Sequence, residues 1–151
     1  MLRNSLNDAL KDAMRARDAA TLSTLRMILA ALKDRDIAAR PKGNPGGIGD
    51  DEILGLLQGM IKQRRESIAL YQKGNRADLV DKENQEITVI ERFLPQQMDE
   101  PATAAAIRAV ITELGAASIK DMGRVMAELK ARHAGQMDFA KAGGLVKQQL
   151  G

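Results

Sequence analysis

Cysteine and tryptophan are absent from the 151 residues, histidine occurs once, and the aromatic side chains are Tyr71, Phe93 and Phe139 alone. Without cysteine there is no disulfide, no thiolate metal site and no thiol nucleophile, which points to a reducing compartment. A single histidine, His133, gives no support to a histidine-based metal cluster or a Ser/His/Asp triad. Three scattered aromatics argue against a stacking platform for single-stranded bases, which needs several flat faces along one groove. No window approaches the ~18 apolar residues needed to span a bilayer. The first residues, "MLRNSLNDALKDAMRARD", mix both signs of charge and lack the apolar run of a signal peptide. A soluble, cytoplasmic protein with no membrane association is expected.

What the chain does contain is charge of both signs in near balance. The 23 Lys and Arg against 20 Asp and Glu leave +3, a basic excess too mild to imply nucleic acid by itself. At this length well over half of the unfolded surface can be buried.

Apolar residues recur at helical spacing, and no segment sustains a period of two. Leu2, Leu6, Ala9, Leu10 and Ala13 define a first helix, and Leu22, Leu25, Leu29 and Leu32 a second, with Asp18 or Thr21 as N-cap. "PKGNPGGIGD", residues 41–50, carries two prolines and four glycines and reads as a flexible loop. Asp50-Asp51-Glu52 suits the positive end of a third helix, with a stripe through Ile53, Leu57, Met60 or Ile61, Ile68 and Tyr71 up to Gly74-Asn75. Leu79, Ile87, Ile90 and Leu94 outline a fourth, closed by Pro95. "LPQQMDEPAT", residues 94–103, marks a domain boundary, beyond which three helices follow: one from Pro101 to Gly115, one after Ser118 and Asp121 up to Gly135, and a last around Leu145, Val146 and Leu150. Gly143-Gly144 weakens the start of that last helix by ~1 kcal/mol per glycine relative to alanine. The fold class is all-α, with a four-helix domain over residues 1–96 and a small three-helix domain over 97–151.

In "KQRRESIALY", residues 62–71, the cations separate by side. At 100° per residue, Lys62, Arg65, Lys73 and Arg76 fall within about 80° of one another. That face is either solvated, with Glu66 one turn after Lys62, or a ridge that contacts phosphates. Arg64 falls between Ile61 and Ile68 on the apolar face, where an unpaired guanidinium is very costly. Glu83 and Glu86 share the apolar stripe of the fourth helix, so an ion pair tying Arg64 to Glu83 or Glu86 is expected. Two carboxylates in a cleft also suit acid–base or metal chemistry, but a nearby arginine favours the structural pairing. His133 belongs at a helix C-terminus, beside the negative end of the dipole. Glycines 43, 46, 47 and 49 lack the GxxxxGK[ST] pattern of a phosphate cradle. Methionines such as Met122 and Met126 sit at stripe positions and fill core. No catalytic residue, metal site or cofactor is indicated.

"KQRRESIALYQKGNRADLVDKENQEITVIERFLPQQ", residues 62–97, together with "KDMGRVMAELKARHAGQMDFAKAGGLVKQQL", residues 120–150, and "LRMILAALK", residues 25–33, resembles the GatB/YqeY family of small helical proteins over almost the whole chain. The second block is similar to the tail domain of the B subunit of the glutamine-dependent aminoacyl-tRNA amidotransferase, through Met122 to Met126, Gly135, Leu145, Val146 and Leu150. It departs from that pattern at Gly143, where a polar side chain such as asparagine is usual. The resemblance implies a tRNA-binding role for residues 97–151. The amidotransferase's ATP- and Mg-dependent domain and its glutaminase subunit have no counterpart here. A carbon–nitrogen ligase activity with glutamine as amido donor is therefore implied by association only, and no catalysis by this chain alone is expected.

Three functions stay open. The first is a binding protein for tRNA or a tRNA-dependent enzyme, with Lys62, Arg65, Lys73, Lys120, Arg124 and Lys147 as phosphate contacts. The others are an accessory part of an amidotransferase acting on misacylated tRNA, and a protein–protein adaptor whose helical groove takes a partner helix.

Overall fold

Asp18 decides where the second helix begins. In the computed structural model, which describes residues 1–151, its carboxylate accepts from the Thr21 amide at 3.2 Å and from the Thr21 hydroxyl at 2.7 Å. These bonds satisfy donors that a helix start leaves free. Before it, α1 (Leu2–Ala16) stops at Arg17, which takes a left-handed conformation, φ 54°. After it, α2 (Ala19–Ala39) runs into a 3-10 turn at Arg40–Lys42, where Pro41 is accommodated and Gly43 turns the chain with φ 91°. The acidic run opens α3 (Asp50–Lys73), and Gly74 with left-handed Asn75 closes it. α4 (Ala77–Glu91) completes this group.

The remaining helices are α5 (Glu100–Leu114), α6 (Met122–His133), entered through a 3-10 turn at Ile119–Asp121, and α7 (Phe139–Leu150). Asp99 caps α5 through the Ala102 amide at 2.8 Å, with Pro101 in the first turn, and Gly115 ends it at φ 63°. The fold is all-helical, as expected, with seven α-helices and no strand. No single helix is long and apolar enough to cross a membrane.

Two compact units result, Met1–Leu94 and Pro95–Gly151. In the first, α3 packs on α4, α1 on α2, and α2 on α4. Leu6, Leu25, Ile28, Ile53, Leu57 and Ile90 are the large side chains at its centre, all but closed to solvent. In the second, α5, α6 and α7 each touch the other two around Ile107, Val110, Val125, Leu129 and Val146. Met122 and Met126 pack at the edge of this core, and Met137 lies within it.

Three local features differ from the sequence-based expectation. The 41–50 segment is not simply an open loop, because Ile48 is buried and both its backbone N–H and its carbonyl are hydrogen-bonded. Arg76 does not extend the α3 face, since Gly74-Asn75 break the helix and leave Arg76 as the N-cap of α4. α7 begins at Phe139, well before the glycine pair, because Asp138 accepts from the Ala140 and Lys141 amides and fixes the first turn.

Candidate functional site

The basic residues of the first unit stand on α3. Lys62, Arg65 and Lys73 are all exposed. Arg65 Nη2 lies 3.7 Å from Glu91 Oε1 on α4, and Glu66 follows Lys62 by one turn, so carboxylates interleave with this face. Its net attraction for a polyanion is reduced accordingly.

Arg64 turns the other way. Its Nε donates to Glu86 Oε2 at 2.8 Å, Glu83 Oε2 lies at 4.0 Å, and Nη1 donates to the Met60 carbonyl at 3.1 Å. Arg64 and both glutamates are largely withdrawn from solvent. One guanidinium therefore joins α3 to α4, and Glu86 is occupied by it.

In the second unit Lys120 lies exposed in the turn before α6, and Lys147 is exposed in the last turn of α7. Arg124 is also exposed but is bonded to Asp121 at 3.0 Å. That carboxylate accepts from the Ala117 amide as well, and these bonds hold Asp121 below the ordinary carboxylate range, the backbone amide contributing most. Elsewhere on the unit Arg132 bridges Glu113 and Glu128, which raise its pKa. His133 closes α6, with Nδ1 2.9 Å from Gln136 Oε1.

Two features escaped the reading of the sequence. A groove of about 330 Å³ runs between α2 and α4, lined by Thr21, Thr24, Lys82, Glu86, Thr88 and Arg92 among others. Nothing in the local periodicity places these residues together. The second is a clasp: Arg3 forms a two-pronged pair with Asp36 and donates to the Ile48 carbonyl at 2.9 Å, while Asp36 accepts from the Ile48 amide at 2.9 Å. The signal for it was a lone isoleucine in a Gly/Pro loop, which has to find cover. Taken together, these surfaces offer exposed cations and hydrogen-bond donors, the chemistry that holds an anion.

Curated relatives match part of this sequence. The protein named "Altered inheritance of mitochondria protein 41, mitochondrial" from Vanderwaltozyma polyspora is 34% identical over 101 residues, covering 62% of this chain and 52% of its own. Its namesake from Lachancea thermotolerans is 33% identical over 112 residues, covering 73% and 58%. That from Saccharomyces cerevisiae is 31% identical over 91 residues, covering 60% and 47%. The chain thus spans about half the length of these relatives. The family described as Yqey-like protein matches residues 3–150, nearly every position of both helical units, and the chain belongs to that family.

Proposed function

We propose that this protein binds tRNA, or an enzyme that acts on tRNA, through its second unit, and performs no chemistry alone. The observation that carries this reading is the set of exposed cations Lys120, Arg124 and Lys147 on a three-helix unit whose sequence resembles the amidotransferase tail. Lys120 and Lys147 make no ion pair, so their charge is available to phosphates. Lys62, Arg65 and Lys73 contribute a weaker second contact. The location we infer is the cytoplasm, on the absence of cysteine; the relatives named above are mitochondrial by name.

Titration of labelled tRNA at several salt concentrations tests the reading. Affinity is expected to fall steeply with salt, and Lys120→Gln/Arg124→Gln/Lys147→Gln to weaken binding and flatten the slope by about one unit for each phosphate that is no longer neutralised. Unchanged binding rejects these contacts. Amidation of misacylated tRNA by the purified chain alone would overturn the non-catalytic assignment.

A further inference from the structure

The outward side of α2 carries Arg26, Lys33 and Arg40, all exposed, at intervals of seven residues. Arg40 keeps helical backbone angles as the C-cap, so the row continues to it unbroken. Seven residues fall about 20° short of two turns, which puts the three cations within about 40° of one another along roughly 21 Å of helix. Leu25, Ile28, Leu32 and Ala39 are buried on a neighbouring side of the helix, about 80–140° round from the row.

No carboxylate closes on this row, although Asp36 is near enough to Arg40 to feel its charge. None of the three cations forms an ion pair. Asp36 lies one turn from both Lys33 and Arg40, but its oxygens are taken by Arg3 and the Ile48 amide. Asp34 is exposed about 80° round the helix from Arg26 and stands off the line. The α3 face differs, since Glu66 and Glu91 interrupt it.

The row is also open to close approach, because Ser23 and Ala30 are the side chains beside Arg26. Ile37 is exposed on the same side, at 46%, but a single aliphatic residue among cations is a poor core for a protein interface, where lysine is depleted and aromatic anchors are common. Evenly spaced cations that form no ion pair, the first of them flanked by Ser23 and Ala30, suit a phosphate backbone, which presents a charge every ~1.7 Å of duplex axis.

We propose that the Arg26–Lys33–Arg40 row on α2 is an RNA-docking ridge that contacts backbone phosphates without reading sequence. It rests on the reading that the partner is RNA, and it adds a contact surface on the first unit. The contacts position the RNA and contribute through counterion release, so their mark is the salt dependence of affinity.

The test uses the full chain and labelled tRNA, with affinity measured across a salt series. Three proteins are compared: the unaltered chain, Arg26→Gln/Lys33→Gln/Arg40→Gln, and Lys11→Gln/Arg15→Gln/Arg35→Gln, which removes equal charge off the row. Glutamine keeps helix propensity close to that of Lys and Arg, and thermal melting checks that both variants fold. If the triple row variant melts early, the three single substitutions replace it. The row variant is expected to bind about tenfold more weakly or worse at ~0.1 M salt and to lose about two to three units of slope, with the control losing less than one. Equal behaviour of the two variants overturns the ridge while leaving tRNA as partner. Failure of the unaltered chain to bind tRNA removes the partner reading and the ridge together. Loss of a ribonuclease-resistant protein partner by the row variant, with its tRNA slope unchanged, reassigns the surface to protein.

Discussion

Arg64 Nε meets Glu86 Oε2 at 2.8 Å between α3 and α4, with the two side chains only 12% and 13% exposed. The arginine thus stands among the apolar contacts of the first unit, bonded on one side to a carboxylate and on another to the Met60 carbonyl. Its presence is a constraint as much as a source of stability, because desolvating both charges offsets much of their attraction.

Removing one member exposes that balance. Arg64→Leu leaves Glu86 withdrawn from water without its cation, and is expected to destabilise the first unit by about 3 kcal/mol. For a unit of this size that lowers its melting temperature by roughly 12 °C or more. Arg64→Leu/Glu86→Leu should recover more than half of the loss, since the nearer carboxylate goes with its cation and the one left behind, Glu83, stands 4.0 Å from Arg64 rather than 2.8 Å. Calorimetry reads both. A single variant that melts with the unaltered chain would show that Glu86 is solvated without help from Arg64.

The Arg3–Asp36 pair predicts an acid limit. Hydrogen bonding from Arg3 holds the Asp36 carboxyl below its ordinary value, against the opposing effect of burial, and the Ile48 amide assists. A carboxyl depressed in the folded state contributes stability that is present above its unfolded pKa, near ~3.9, and is lost as pH falls through the folded value. The first unit should therefore lose stability below about pH 4. Asp18 and Asp78 are also depressed and share that loss. The contribution of Asp36 is isolated by Arg3→Met, whose stability should fall less steeply below about pH 4 than that of the unaltered chain. Parallel curves in acid denaturation would count against the pair.

The same clasp leaves little room for a side chain at Gly47. Its φ is 92°, and a Cβ there would lie 2.5 Å from Asp36 Oδ1 and 2.8 Å from Asp36 Cγ. Because Arg3 and Ile48 fix that carboxylate, it has little freedom to move aside. Gly47→Ala is expected to cost about 1–3 kcal/mol. Gly43 has a similar φ of 91° with open space around it, so Gly43→Ala carries the conformational penalty alone, about 1–2 kcal/mol. Thermal melting of the pair separates clash from strain, and equal losses would mean that the carboxylate yields.

These residues also show which features a sequence displays. Helix existence is local: Asp18, Pro101 and Gly115 mark ends through backbone donors and left-handed turns a few residues away. Arg64 stands out because three neighbours on the same wheel are apolar, and Glu83 and Glu86 because they sit in a stripe that should be apolar. The clasp is not local. Arg3, Asp36 and Ile48 are 33 and 45 positions apart from the first to the others, and each alone is an ordinary residue. The α2–α4 groove is hidden for the same reason. The α2 row is local, since a period of seven is as readable in cations as in leucines, but the leucine stripe of the same helix is the stronger periodic signal. The start of α7 was obscured by a competing signal, the low propensity of Gly143-Gly144, which the Asp138 cap outweighs.

That glycine pair supplies a test of how α7 is held. Gly143 and Gly144 both lie inside the helix, where alanine is favoured by about 0.5–1 kcal/mol. A Cβ on Gly143 would approach Met122 Cε at 3.6 Å and Met126 Cε at 3.9 Å, ordinary contact distances, whereas one on Gly144 meets nothing within 4 Å. Both alanine variants should raise the melting temperature of the second unit. Gly143→Ala should gain the more, because its methyl adds contact with two flexible methionine ends that can adjust around it. If Gly143→Ala instead melts earlier than Gly144→Ala, the methionines are held too firmly to yield, and α6 and α7 pack against a fixed surface at that point.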